Sequence, residues 1–257
     1  MSFISDFKSS PFEVFKTDTD SSLATLTGVK FQLNDGREVA LVQNGGSALV
    51  SGVLVQAPAT IGANHTGLTC ATAAIGATEI TVTLGGTAVT ANQYQGGYAV
   101  ISAGTGAGQT FRIASHPAQT STTGTVVLTL ENPLSVATAV ADSKVSLTLP
   151  QYGGKNGTNV TTHGVIISPT ASTGASIGVT LYPIPASTST VPSYGFIVTR
   201  GAVACLNDSA TAVGLDVMPS SSVAGAVVTY AVATRNRVGT STVAGENTKS
   251  QLINIQL

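Results

Sequence analysis

Two short stretches carry residue types that could do chemistry. "ISAGTGAGQTFRI" (101–113) sets glycines at 104, 106 and 108 beside the hydroxyls of Ser102 and Thr105. A glycine loop of this kind can cradle phosphate when it opens a helix whose free N–H groups face the anion. Here Gly108 is followed by "QTFRIAS", an alternating run that reads as a strand and stops at His116-Pro117. The Lys-Ser/Thr pair that completes a phosphate loop is missing as well, so the glycines read as a connector between two strands. "GASIG" (174–178) is a literal G-x-S-x-G match centred on Ser176. In hydrolases that serine sits on a strand-to-helix elbow and the histidine follows it in the chain. The continuation "VTLYPIP" cannot be a helix, and His65, His116 and His163 all precede Ser176. The match reads as chance in a chain rich in Gly and Ser.

Other chemistry is sparser. His65 and Cys70 are five apart with no second pair nearby, and no H-E-x-x-H occurs, so no metal site is expected. Asp18 and Asp20 form a D-x-D inside a charged segment, which reads as solvated. Beyond residue 38 the acids are Glu79, Glu131, Asp142, Asp208, Asp216 and Glu246. Nothing in their spacing pairs two of them across a glycosidic bond. Arg235 and Arg237 in "TRNRVG" read as turn residues or an interface ion pair. The expectation is a protein with no catalytic residue, no cofactor and no metal.

Composition points the same way. Of the 257 residues 9% are charged, against about 25% in an ordinary soluble domain. Ten charges fall in the first 38 residues, none between Glu38 and Glu79, and none between Lys155 and Arg200. With a mean hydropathy of +0.32 the chain is not of the disordered class, and a surface this poor in charge suits contact with other protein. A net charge of −1 and a pI near 6.3 argue against nucleic acid as a partner. No apolar run approaches membrane-spanning length, and "MSFISDFKSSPF" lacks the basic and apolar regions of a signal peptide. Cys70 and Cys205 read as two reduced, buried thiols.

The elements that must position these residues are nearly all strands. "VKFQLNDGREVALVQ" is two alternating runs joined at Asn34-Asp35-Gly36, a hairpin signal. "SALVSGVLVQ" follows, and Pro58 to Thr78 reads as loop. "TEITVTLG", "GGYAVISAG", "QTFRIAS", "GTVVLTLEN" and "SKVSLTLPQY" are short runs of Val, Ile and Thr separated by turn residues. After a boundary-like stretch at 151–164 come "GVIISP", "SIGVTLYPIP", "YGFIVTRGAVACLN", "TAVGLDVMP", "GAVVTYAVATRNRVG" and "SQLINIQL". The expected class is all-β, a barrel or sandwich body of two β domains, 29–150 and 151–257.

Residues 1–28 differ. They hold Phe3, Phe7, Phe12 and Phe15, four of the seven Phe, amid charges. Ser10, Pro11 and Glu13 have the order of a helix start, and "KTDTDSSLATLTG" reads as extended chain. On helical turns each Phe pair would share a face, so this segment is expected to be a docking arm that inserts the four rings into a partner; the alternative is that it folds back onto its own barrel.

Four stretches resemble virion structural proteins of tailed bacteriophages, above all the head decoration, or cement, proteins. They are "DGREVALVQNGGSALVSGVLVQ" (35–56), "ANQYQGGYAVISAGTGAGQTFRIASHPA" (91–118), and "YGFIVTRGAVACL" (194–206) with "VGLDVMPSSSVAGAV" (213–227). The resemblance is one of strand and turn style over most of residues 30–240. It implies a β body that binds the outside of a capsid as a homotrimer, with the major capsid protein as partner, made in the host cytoplasm and located on the virion. The alternative built from the same strands is a tail or fibre component, or a receptor-binding module that reads a glycan. A glycan reader would set exposed aromatics beside carboxylates, whereas the six Tyr are scattered along the chain and Trp is absent.

Overall fold

The computed structural model describes residues 16–59, 65–154, 163–171, 173–231 and 236–257. Phe3, Phe7, Phe12, Phe15, the helix start at Ser10–Glu13 and Arg235 lie outside them. The fold is nearly all β, as the alternating runs require. In chain order the first strands are β1 (Lys30–Gln32), β2 (Glu38–Gln43) and β3 (Leu54–Gln56). They are followed by β4 (Leu68–Thr69), β5 (Glu79–Thr83), β6 (Tyr98–Ala103), β7 (Thr110–Ser115), β8 (Thr125–Leu130) and β9 (Lys144–Thr148). The last are β10 (Ile166–Ile167), β11 (Ser176–Thr180), β12 (Tyr194–Leu206), β13 (Asp216–Pro219), β14 (Val227–Thr229), β15 (Gly239–Ser241) and β16 (Ser250–Gln256). The strands pair antiparallel throughout.

These strands form two compact units. The larger comprises Met1–Ala59, Gln151–Gly153 and Val160–Leu257; the smaller comprises Thr60–Pro150 and Gly154–Asn159. This differs from the expected division into 29–150 and 151–257. The stretch at 151–164 is indeed where the chain leaves the small unit, but β1 to β3 belong with the strands that follow it. The reason is β12: its residues 194–200 pair with β2, with Tyr194 opposite Gln43 and Phe196 opposite Leu41. The small unit is therefore an insertion between β3 and β10.

In the larger unit a ten-stranded sheet curves like half a barrel, in the order β10-β3-β11-β12-β16-β15-β13-β14, with β2 and β1 joined through β12. After a bulge between Val198 and Arg200, β12 continues along β16 from Arg200 to Leu206. Its first six residues are buried on both faces. Val39, Leu41, Phe196 and Val198 enter one core with Val203, Cys205, Ile253 and Ile255. Ala40, Val42 and Ile197 enter a second with Leu49, Val165 and Ile184. A strand covered on both faces needs a continuous apolar run instead of alternation, and "VALV" in β2 and "FIV" in β12 supply it. The Asn34-Asp35-Gly36 hairpin forms as expected: Gly36 takes φ +85, and Leu33 N–H donates to the Arg37 carbonyl at 2.8 Å.

In the small unit the sheet order is β4-β9-β6-β7-β8-β5. Its two ends meet where Cys70 bridges Val82 and Ala71 N–H donates to the Thr81 carbonyl at 2.8 Å, giving a nearly closed barrel. The alternation of β5 to β9 points Ile80, Val82, Ile101, Phe111, Ile113, Leu128 and Val145 inward, so a barrel of this size is filled by its own side chains.

Three local expectations change. Residues 21–26, expected as extended chain, form a 3-10 helix (Ser21–Leu26) capped by the Asp20 carboxylate, which accepts from Ser22 N–H. Leu23 and Ala24 are buried in the larger unit's core, and Asp18 exchanges two backbone hydrogen bonds with Tyr194, 3.1 and 2.8 Å. From Asp18 onward the expected arm is thus part of the body. Strand β4 lies inside the stretch expected as loop, and β15, "GTS", has no apolar run to announce it.

Candidate functional site

The opening glycine motif lies at one end of the small barrel, where it turns β6 into β7. Gly104, Gly106 and Gly108 have φ of +75, +84 and +92, and the turn is clamped by its neighbours. Gln109 Oε1 accepts from Ser135 N–H at 3.0 Å, Ser135 Oγ at 2.9 Å and Val136 N–H at 2.9 Å. Its amide nitrogen donates to the carbonyls of Gly106 and Val136, both at 3.0 Å. Ser143 Oγ donates to the Thr105 carbonyl at 2.6 Å, and Thr105 Oγ1 donates to Asp142 at 3.0 Å. The positive end of a helix that a phosphate would need is not at this turn, because strand β7 follows it.

What this end presents is apolar. The bridge between Ala73 and Thr138 and the bonds from Gly76 N–H to Leu134 and from Leu134 N–H to Ala77, both 2.8 Å, set a register that puts Ile75 opposite Val136. Val140 follows, its N–H donating to Thr72 Oγ1 at 3.2 Å. Ile75 is 70% exposed, Val140 60% and Val136 47%. Asp142 is the one charge on residues 70–78, 103–109 and 132–143. Fully burying an aliphatic side chain contributes about 1.5–3 kcal/mol, so this rim is suited to contact with an apolar partner surface.

Ser176 opens β11, paired with Gln56 across a bulge, and the residues after it continue as strand instead of forming an elbow. It lines a cleft of about 100 Å³ with Gly174, Ala175, Pro219, Asn236, Val238 and Leu257. His65 and Cys70 point to separate tasks: His65 bonds the Tyr94 hydroxyl, while the Cys70 thiol donates to the Ala71 carbonyl at 3.3 Å and is pushed up in pKa by burial. Cys205 is fully buried, and its thiol is pushed up to about 12 by that burial. Both thiols are free. Asp18 accepts from the N–H groups of Thr19 and Asp20, 2.7 and 3.0 Å, so it shapes the turn before the 3-10 helix. Backbone donation from Ser22 holds the exposed Asp20 carboxyl below its usual value. Arg237 pairs with Asp216 at 3.0 Å and donates to Thr240 at 2.7 Å.

The fold also assembles what sequence order keeps apart. Tyr98 stands directly opposite Arg112 on β7 and opposite Thr148 on β9, and Arg112 Nε lies 3.4 Å from Glu131. An exposed aromatic ring and a carboxylate thus share one row of the outer barrel face. His65, Tyr94 and His116 come together inside the barrel. No spacing rule reveals either group, since each depends on barrel closure. Among the described residues there is no group of three or more His, Cys, Asp or Glu that could hold a metal ion, and no helix is long and apolar enough to cross a membrane. Compared with known proteins, the chain matches no family model, no curated protein and no solved structure.

Proposed function

We propose that this chain is a structural virion protein, a capsid decoration protein that binds the outside of a tailed-phage head as a trimer and stabilises it by non-covalent contact. The observation that carries the reading is the uncharged apolar rim of Ile75, Val136 and Val140 on a charge-poor β body. The strand and turn resemblance of residues 35–56, 91–118, 194–206 and 213–227 supports it, and is the source of both the capsid partner and the trimer. Phe3, Phe7, Phe12 and Phe15 remain the proposed docking residues. Because Asp18 and the 3-10 helix belong to the body, the segment to delete is residues 2–15. The truncated protein keeps its β circular dichroism and melting temperature but fails to bind empty heads; loss of stability with retained binding counts against the arm. Density for the chain on purified particles tests the function itself: a head position supports it, a tail position replaces it with a tail or fibre role. Sedimentation at micromolar concentration gives a species near three times 25.7 kDa if the trimer forms off the capsid.

The Tyr98–Arg112–Glu131 row favours a second reading, a glycan-binding β module. The ring would stack on the apolar face of a sugar while Arg112 and Glu131 bond its hydroxyls. Binding to a glycan array that Tyr98→Ala abolishes would select this reading over the first.

A further inference from the structure

At the end of the small barrel opposite the Gly104–Gly108 turn, His65, Tyr94 and His116 are all buried, with ring centroids 5.5 Å (His65–Tyr94) and 5.9 Å (Tyr94–His116) apart. Their neighbours fix their protons. A carbonyl oxygen only accepts. His65 Nε2, 2.8 Å from the Thr87 carbonyl, therefore carries hydrogen, and Nδ1 accepts from the Tyr94 hydroxyl. His116 Nδ1, 2.9 Å from the Pro117 carbonyl, carries hydrogen, and Nε2 accepts from Tyr94 N–H at 3.0 Å. Both rings are neutral, in opposite tautomers, and every ring nitrogen is used.

Neither can take a second proton in place. A proton on His116 Nε2 sets one N–H against another. A proton on His65 Nδ1 sets it against the Tyr94 hydroxyl hydrogen it now accepts, which must then find a new acceptor. No carboxylate offsets the charge. The charged residues of the small unit's described part are Glu79, Arg112, Glu131, Asp142 and Lys144. Arg112 pairs with Glu131, Asp142 accepts from Thr105, Lys144 donates to Thr69, and Glu79 is exposed on β5.

The group also ties three segments together. His65 precedes β4; Thr87 and Tyr94 lie between β5 and β6; His116 follows β7, where its N–H donates to Asn92 Oδ1 at 2.9 Å. We propose that His65, Tyr94 and His116 form an acid latch, closed only while the His116 imidazole is neutral, whose protonation releases the 87–97 loop and opens this end of the barrel. Burial holds the His116 pKa below its ordinary value. A histidine shifted in that direction contributes stability that is complete above the unfolded pKa of about 6.5 and is lost as pH falls below it, because the open state binds more protons.

The test uses the full chain. Long-range proton–nitrogen correlation at pH 7.5 should show His65 as the Nε2–H tautomer and His116 as the Nδ1–H tautomer. Between pH 7.5 and 5, the opening constant from amide exchange at Tyr94, Gly96 and Ile113, corrected for intrinsic rates, should rise by up to about 10-fold per pH unit below about 6.5, the limit for one proton. His116→Gln should leave it independent of pH over this range. An imidazolium at His116 in the closed barrel at pH 6, or wild-type opening independent of pH, overturns the latch. The wild-type tautomers and exchange decide the matter even if a variant does not fold.

Discussion

Thr248 takes φ +59 in an exposed turn, a left-handed conformation that crowds a β-branched side chain. Asn adopts it with less strain, so Thr248→Asn should stabilise the protein by about 1 kcal/mol, read as a rise of about 2–4 °C in the melting of the larger unit. Tyr194 poses the opposite problem. Its ring is fully buried in the larger core, burial pushes its phenol up to about 12, and among the described residues its hydroxyl has no hydrogen-bond partner. A buried polar group left unpaired costs about 1–3 kcal/mol. Tyr194→Phe should therefore be neutral or stabilising by about 1 kcal/mol in denaturant unfolding, where a well-bonded tyrosine would lose stability. Asn207 is the counter-example. Its amide donates to the carbonyls of Ser209 and Glu246 and accepts from Thr211 and Gln251, and it ties the loop after β12 to the loop before β16.

At the scale of an element, the β6–β7 connection depends on backbone space more than on its hydroxyls. A Cβ on Gly104 would sit 2.2 Å from the Asp142 carbonyl oxygen, at φ +75. The backbone cannot yield without opening the Ser143 and Thr105 contacts, so Gly104→Ala should destabilise the small barrel by about 2–4 kcal/mol, combining a left-handed penalty with overpacking. Thr105→Ala removes one exposed hydrogen bond, to Asp142, and should cost no more than about 1 kcal/mol. Thermal melts of the two variants, followed at the small unit's transition, should separate clearly. Equal losses would mean that the hydroxyl, and not the glycine, sets the turn.

The whole molecule has separately built cores. Every member of the small unit's core falls between Leu68 and Leu149, while the two cores of the larger unit draw on residues from Leu23 to Ala57 and from Tyr152 to Ile255. A unit with its own closed sheet and its own core can fold alone. A fragment of residues 60–159 should show β circular dichroism and melt cooperatively, with the transition the small unit has in the full chain. A fragment of residues 29–150, the division the sequence suggests, strands β2 and β3 without β11 and β12 and should expose the apolar faces of both, binding hydrophobic dye.

The sequence by itself determined the class of structure and several of its joints. Period-two runs of Val, Ile and Thr are local facts about which face each side chain takes, so β5 to β9 were legible, as were the Asn34–Gly36 hairpin and the reading of Gly104–Gly108 as a strand connector. The Gly-Gly and Asn-Gly steps after residue 150 marked one crossing between units. Only the tertiary structure decided which strands pair. Gln43 meets Tyr194 because the edge of β2 not paired with β1 needs a hydrogen-bonding partner, and the strand that supplies it is far along the chain, where no local pattern points to it. The second crossing, after Ala59, follows from that pairing alone. The candidate sites were decided by tertiary structure too: closure of the small barrel sets Ile75 opposite Val136, Tyr98 opposite Arg112 and His65 beside Tyr94. The side-chain period is written in neighbouring residues, but the burial free energy that selects a register is gained only between segments brought together by folding.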